Sequence, residues 1–157
     1  MGKTRVLRGR CRTYQYDGAI NLIQDDQRFN HGFIIKKFLI AFSDLSSSSA
    51  GSKECFAALA THADALEGPV STVIAWNWDD KRQVAWASSG HEDSFAEATF
   101  ELVDPTHVVV RDLYLGLSAL TATSTNEFVY YVELEQVSLT DNQAVLAIVQ
   151  EEAQDVN

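Results

Sequence analysis

Read for chemistry, this sequence holds few groups spaced so that they could act together. The histidines His31, His62, His91 and His107 are scattered, with no HxH or HExxH spacing to turn two rings toward one metal ion. Each reads as a loop or strand-edge residue, and His91-Glu92-Asp93 as a solvated turn, so no metal is expected. Cys55 and His62 could be imagined as nucleophile and base, but seven residues of strand would separate them by about 23 Å and place them on opposite pleat faces. Cys11 and Cys55 fit neither a disulfide framework nor a CxxC zinc pattern and read as free thiols of a reducing compartment. Neither a GxSxG elbow nor a Gly-rich phosphate loop occurs. Glu133 and Glu135 share one strand face at roughly 7 Å, yet with no third element of a site they read as its wet side. The expectation is a protein that is not an enzyme and takes no cofactor.

Two groups remain that could bind rather than react. Trp76, Trp78 and Trp86 fall on one face of an expected hairpin. They are either core residues, the commoner fate of strand tryptophans, or a row able to stack on sugar rings. The second group is MGKTRVLRGRCR, where Lys3, Arg5, Arg8, Arg10 and Arg12 place five cations in twelve residues with no acid. The other 145 residues hold seven of the 12 Lys and Arg and all 22 Asp and Glu, a balance of −15 within a net charge of −10. Such a body repels nucleic acid, so genome contact could come only through the first dozen residues. The stretch could be inert, touch nucleic acid weakly, or lie on the acidic body of another copy. Opposite charges attract over a Debye length of about 8 to 10 Å, which favours the strap between copies. The alternation of Arg8, Arg10 and Arg12 also suits an extended segment that adds to an open sheet edge.

The elements that must position these groups are mostly strands, because apolar residues recur with a period of two. In FIIKKFLIAF, Ile34, Phe38, Ile40 and Phe42 are expected on one face, with Lys36 the exception. STVIAWNW aligns Thr72, Ile74, Trp76 and Trp78, and QVAW returns with Val84 and Trp86 after a polar turn, which predicts a hairpin. HVVVRDLYL is rich in β-branched residues and stumbles at Arg111-Asp112, where a bulge or edge is expected. FVYYVELEQV sets Phe128, Tyr130, Val132 and Leu134 against Glu133 and Glu135. RTYQY and AINLI flank Asp17-Gly18, a hairpin-turn dipeptide. Beyond these seven runs the same period extends to about nine strand candidates in all. One segment differs: in TDNQAVLAIVQEEAQ, Thr140 or Asp141 can cap a helix, and Ala144, Val145, Ile148 and Val149 fall near helical spacing. Stretches 43–53 and 119–127 read as polar loops, and Asp25-Asp26 and Asp79-Asp80 as solvated turns rather than calcium ligands.

At 157 residues and 46% apolar, the chain can bury one core but not two. We expect a basic N-terminal arm over 1–12 and a single domain over 13–157. The fold class expected is all-β, an antiparallel jelly-roll-type sandwich with a short C-terminal helix. No stretch approaches the roughly 20 apolar residues of a membrane span, and no apolar signal core follows the basic start, so neither membrane insertion nor secretion by that route is expected.

The blocks HGFIIKKFLIAFSD, RQVAWA, DPTHVVVRDLYL and FVYYVELEQVSLTDNQAVLAIVQ together resemble small single jelly-roll structural proteins of marine bacterial viruses. The resemblance spans roughly residues 31 to 150 and rests on strand pattern rather than on a chemical motif. It implies a virion protein, a capsid or shell subunit made in a host cytoplasm, with copies of itself and other virion proteins as partners and no catalytic positions. The alternative is a carbohydrate-binding module, lectin-like or for receptor attachment, using the tryptophan face.

Overall fold

The computed structural model describes residues 2–12, 18–23, 30–43, 53–68, 74–92, 95–120 and 127–153. Eight strands, β1 (Lys3–Arg12), β2 (Ile20–Ile23), β3 (His31–Phe42), β4 (Lys53–Ala60), β5 (Gln83–Glu92), β6 (Phe95–Val103), β7 (Leu113–Leu120) and β8 (Glu127–Ser138), precede a helix, α1 (Asp141–Glu152). Two antiparallel sheets form a sandwich: β1-β8-β3 faces β2-β7-β4-β5-β6. The pairs nest as β4 with β5, β2 with β7 and β1 with β8. Between them in the series, β6 lies beside β3, where Glu101 Oε1 accepts a hydrogen bond from the Phe38 N–H at 3.0 Å. Nested pairing of this kind is a long antiparallel ribbon rolled on itself, the jelly roll.

Alternation explains most of β8. Phe128, Val132 and Leu134 are buried and Tyr130 packs on the core, while Glu133 and Glu135 face out. β3 departs from the expected face. Its pairing with β8 shifts between Ile35 and Lys37, so Phe33 and Ile35 point inward before the shift and Phe38, Ile40 and Phe42 after it. Ile34 is only half-buried, and Lys36 and Lys37 are both exposed. The extra residue of a bulge changes the parity of the strand, which lets two consecutive lysines reach water.

Other expectations are corrected too. Among the described residues no hairpin joins the Trp76 run to Trp86: Ile74 makes an isolated bridge to Glu67, and β5 pairs with β4 and β6 instead. In HVVVRDLYL only Val109 is bridged, to Phe33, and strand begins at Leu113, after the Arg111-Asp112 break. β1 and β2 belong to opposite sheets, and the hairpin expected around Asp17-Gly18 lies outside the described residues, which omit 13–17. Gly18 does take the positive φ, +100°, that suits glycine. His91 and Glu92 end β5 rather than forming a turn. The segments 13–17, 24–29, 44–52, 69–73, 93–94 and 121–126 lie outside the described residues, with Asp25-Asp26, Thr72, Asp93 and most of the two polar loops among them.

α1 starts at a full capping box: the Thr140 hydroxyl accepts from the Gln143 N–H, and the Gln143 side chain accepts from the Thr140 N–H. Its docked side is Ala144, Ile148 and Glu151, at i, i+4 and i+7, with Ala144 and Glu151 buried. Val145 and Val149, expected on the apolar face, point to solvent. Among the described residues no helix is long and apolar enough to cross a membrane.

Candidate functional site

The basic stretch is the outer strand of a sheet. β1 pairs residue for residue with β8, from Lys3 opposite Gln136 to Arg12 opposite Glu127. The sheet edge it extends is that of its own chain. Alternation then divides its charges. Arg5 lies opposite inward-facing Leu134, with its guanidinium 5.9 Å from the centre of the Phe33 ring. Arg8 and Arg10 lie on the outward face, where Arg10 pairs with Glu127 at 3.3 Å. Lys3 shares the parity of Arg5 and is exposed, and the Arg12 side chain lies outside the described residues. The five cations therefore do not form one patch.

On the outward face, Arg8, Tyr131 and Leu39 stand in one row across the sheet, and Arg10, Val129 and Ala41 in the next. These six residues line a concavity of about 690 Å³ with an apolar floor and arginines on one rim. Beneath it, burial raises the Tyr130 hydroxyl, with a further push from Cys11, and burial likewise raises the Cys11 thiol.

The second surface is aromatic and covers the outer face of the five-stranded sheet. Residues 61–68 leave the end of β4 and residues 74–82 lead into β5, and the two are pinched together by Thr61 N–H donating to Arg82 O at 2.9 Å. Gly116 of β7 lets this cover approach closely, since a Cβ there would stand 3.1 Å from Ile74 and 3.2 Å from Leu66. Gln83 holds the cover down. Its Nε2 donates to the Ala65 and Ala75 carbonyls at 2.7 and 2.8 Å, and its Oε1 accepts from Asn77 N–H at 2.8 Å and Trp86 Nε1 at 2.7 Å. Arg82 braces the same loop through Asp80, at 2.8 Å, and Asp64, at 3.2 Å. Burial by itself would raise the Asp80 carboxyl, and the hydrogen bonds and charge of Arg82 outweigh it and hold the group below the usual carboxylate range.

The three tryptophans do come together on this face, in different states. Trp86 is buried, Trp78 sits edge-on to it at 6.3 Å and is 62% exposed, and Trp76 stacks on Phe100 at 5.5 Å. Phe100 and Leu102 of β6 are partly open beside them. Trp76 Nε1 is buried with no hydrogen-bond partner among the described residues. β6, and with it the Phe100 contribution, is not among the strands expected from the sequence, where the alternation in FELV is the available signal.

The groups considered for chemistry are dispersed. Cys55 is buried and donates to Ser89 O at 3.5 Å, while His62 lies beyond the end of β4 against the Thr61 hydroxyl. Glu135 pairs with Lys36 at 3.3 Å, and Glu133 accepts from the Tyr131 hydroxyl. His107 Nε2 approaches buried Glu151 at 3.4 Å and ties α1 to the 104–110 segment. Among the described residues no three His, Cys, Asp or Glu are placed to hold a metal ion.

No family model and no curated protein matches this chain. Among solved structures, a lectin from Bauhinia forficata in complex with GalNAc is similar over 87% of this chain and 93% of that chain, at 11% identity and a TM-score of 0.26, a likeness too slight to bear on function.

Proposed function

We propose that this protein is a virion structural protein, a capsid or shell subunit that assembles in many copies, with β1 meeting neighbouring copies. The observation that supports this reading is the distribution of exposed apolar side chains. Val145, Leu146 and Val149 form one open patch on α1, and Trp78, Phe100 and Leu102 are open around Trp76 and Trp86 on the five-stranded sheet. Val6 is open on β1, at the edge of the opposite sheet. Exposed apolar patches mark interaction surfaces, and a shell subunit needs several, each facing a different neighbour. The jelly roll hosts capsid and lectin domains alike, so the fold is compatible with the reading and does not carry it. Light scattering with negative-stain microscopy at micromolar protein tests it. Large particles of repeating subunits are expected, and a strictly monomeric species across salt and calcium would overturn the proposal.

Carbohydrate binding is the second reading, and the openness of Trp78 beside Trp86 favours it, since a flat exposed ring can stack on the apolar face of a sugar. Quenching of tryptophan fluorescence by members of a glycan panel, lost in Trp78→Ala, is the expected result; no response to any glycan would remove this reading.

A further inference from the structure

Two surfaces of this chain are complementary, and we propose that they form one contact between copies: α1 of one subunit lies in the β1-β8-β3 concavity of the next. The inference rests on the assembly reading and names the surfaces it uses. The acceptor is the 690 Å³ concavity, whose apolar floor includes Leu39, Ala41, Val129 and Tyr131 and whose charged lining residues are Arg8 and Arg10. Both arginines are exposed, Arg10 to 65% of its side chain even while paired with Glu127.

The donor is the solvent side of α1. Asp141, Val145, Val149 and Glu152 follow at i, i+4, i+8 and i+11, a single stripe with Leu146 beside it. Val145, Leu146 and Val149 are 60%, 58% and 53% exposed, and the charged residues of α1 are Asp141, Glu151 and Glu152, all acidic. An apolar stripe with acidic ends fits an apolar floor with a basic rim, the helix-in-groove mode of recognition. Opposite charge at the rim steers the acidic ends of α1 toward the arginines, and the apolar stripe between those ends is what sets α1 apart from the acidic remainder of another copy.

α1 does not fill the concavity of its own chain. From Tyr131 to Ser138, β8 runs about 23 Å away from that concavity, and α1 begins beyond Ser138. Donor and acceptor are different patches, so copies joined head-to-tail leave a free donor or acceptor at each addition until a ring or shell closes. A two-fold pairing of like patches would instead set Arg8 against Arg8, or acid against acid.

The test uses two variants of the full chain. The donor variant carries Leu146→Asp and Val149→Asp, and the acceptor variant carries Arg8→Glu and Arg10→Glu. All four positions are exposed, and circular dichroism with a thermal melt checks that each variant folds. A third variant, Arg8→Gln with Arg10→Gln, removes the charges without reversing them and covers the case in which the acceptor variant fails to fold. By light scattering, wild-type protein is expected as large assemblies and each of the first two variants alone as monomer. A 1:1 mixture of the two is expected to stop at a heterodimer, because each supplies the half the other lacks. The glutamine variant is expected to need at least tenfold more protein to assemble. Undiminished assembly of the donor, acceptor or glutamine variant, or no heterodimer in the mixture, overturns the inference while the assembly reading stands through another interface. A wild type that never assembles overturns both.

Discussion

At the scale of single residues, buried Gln83 has the clearest structural task. Its amide satisfies four polar groups from three parts of the 61–86 region, and replacing it by a side chain of similar size without an amide leaves those groups unpaired. Gln83→Leu is expected to lower stability by at least about 3 kcal/mol in urea unfolding, since each buried polar group stranded costs about 1–3 kcal/mol. The same variant should raise the accessibility of Trp76 and Trp78 to acrylamide. Asp80 is the second such residue. Its pKa is depressed in the folded protein, so its contribution is present above the unfolded value, near about 3.9, and is lost as pH falls through the lower folded value. Asp80→Asn should therefore be less stable than wild type at pH 7, and the gap should narrow and close only as pH falls below the usual carboxylate range. A gap that stays constant with pH would mean that the Arg82 pairing contributes nothing.

At the scale of elements, β3 turns on one inserted residue. Deleting Lys36 removes the parity change between Ile35 and Lys37, and a one-residue slip turns a whole strand face over. Either Phe33 and Ile35 or Phe38, Ile40 and Phe42 would then face water. The deletion is expected to abolish a cooperative thermal transition, whereas Lys36→Ala, which keeps the bulge and loses only an exposed pair with Glu135, should cost under about 1 kcal/mol. α1 is the contrasting case. Its start was legible because Thr140 and Gln143 are local capping partners three residues apart. Its buried side was not, because Ala144 and Glu151 are small or charged while Val145 and Val149 are apolar, and which side docks is decided by His107 and the surface beneath the helix.

At the scale of the molecule, the strands that close the roll come from the two ends of the described chain. β1 pairs with β8 along its whole length, so removing residues 1–12 takes away a sheet strand and uncovers the edge of β8. The expected outcome is a lowered melting temperature and concentration-dependent aggregation, because an uncovered long edge invites strand pairing between chains. A truncated protein that kept the wild-type melting temperature would show that β1 adds nothing to the fold. Substitutions at Arg8 and Arg10, which leave the strand in place, are therefore the sharper probe of what the basic stretch does between copies.

By itself the sequence determined the all-β class, the wet and dry faces of β8, the break before β7 and the capped helix, because each depends on neighbours within a few residues. It also marked the basic stretch and the three tryptophans as unusual. Only the tertiary structure decided which strands pair, since backbone hydrogen bonds do not read side-chain identity and β1 finds its partner more than a hundred residues away. The same reason governs the division of the five cations. Their types are written in the chain, but their faces follow from the register with β8, which turns Arg5 to the Phe33 ring and leaves Arg8 and Arg10 at the rim of a concavity.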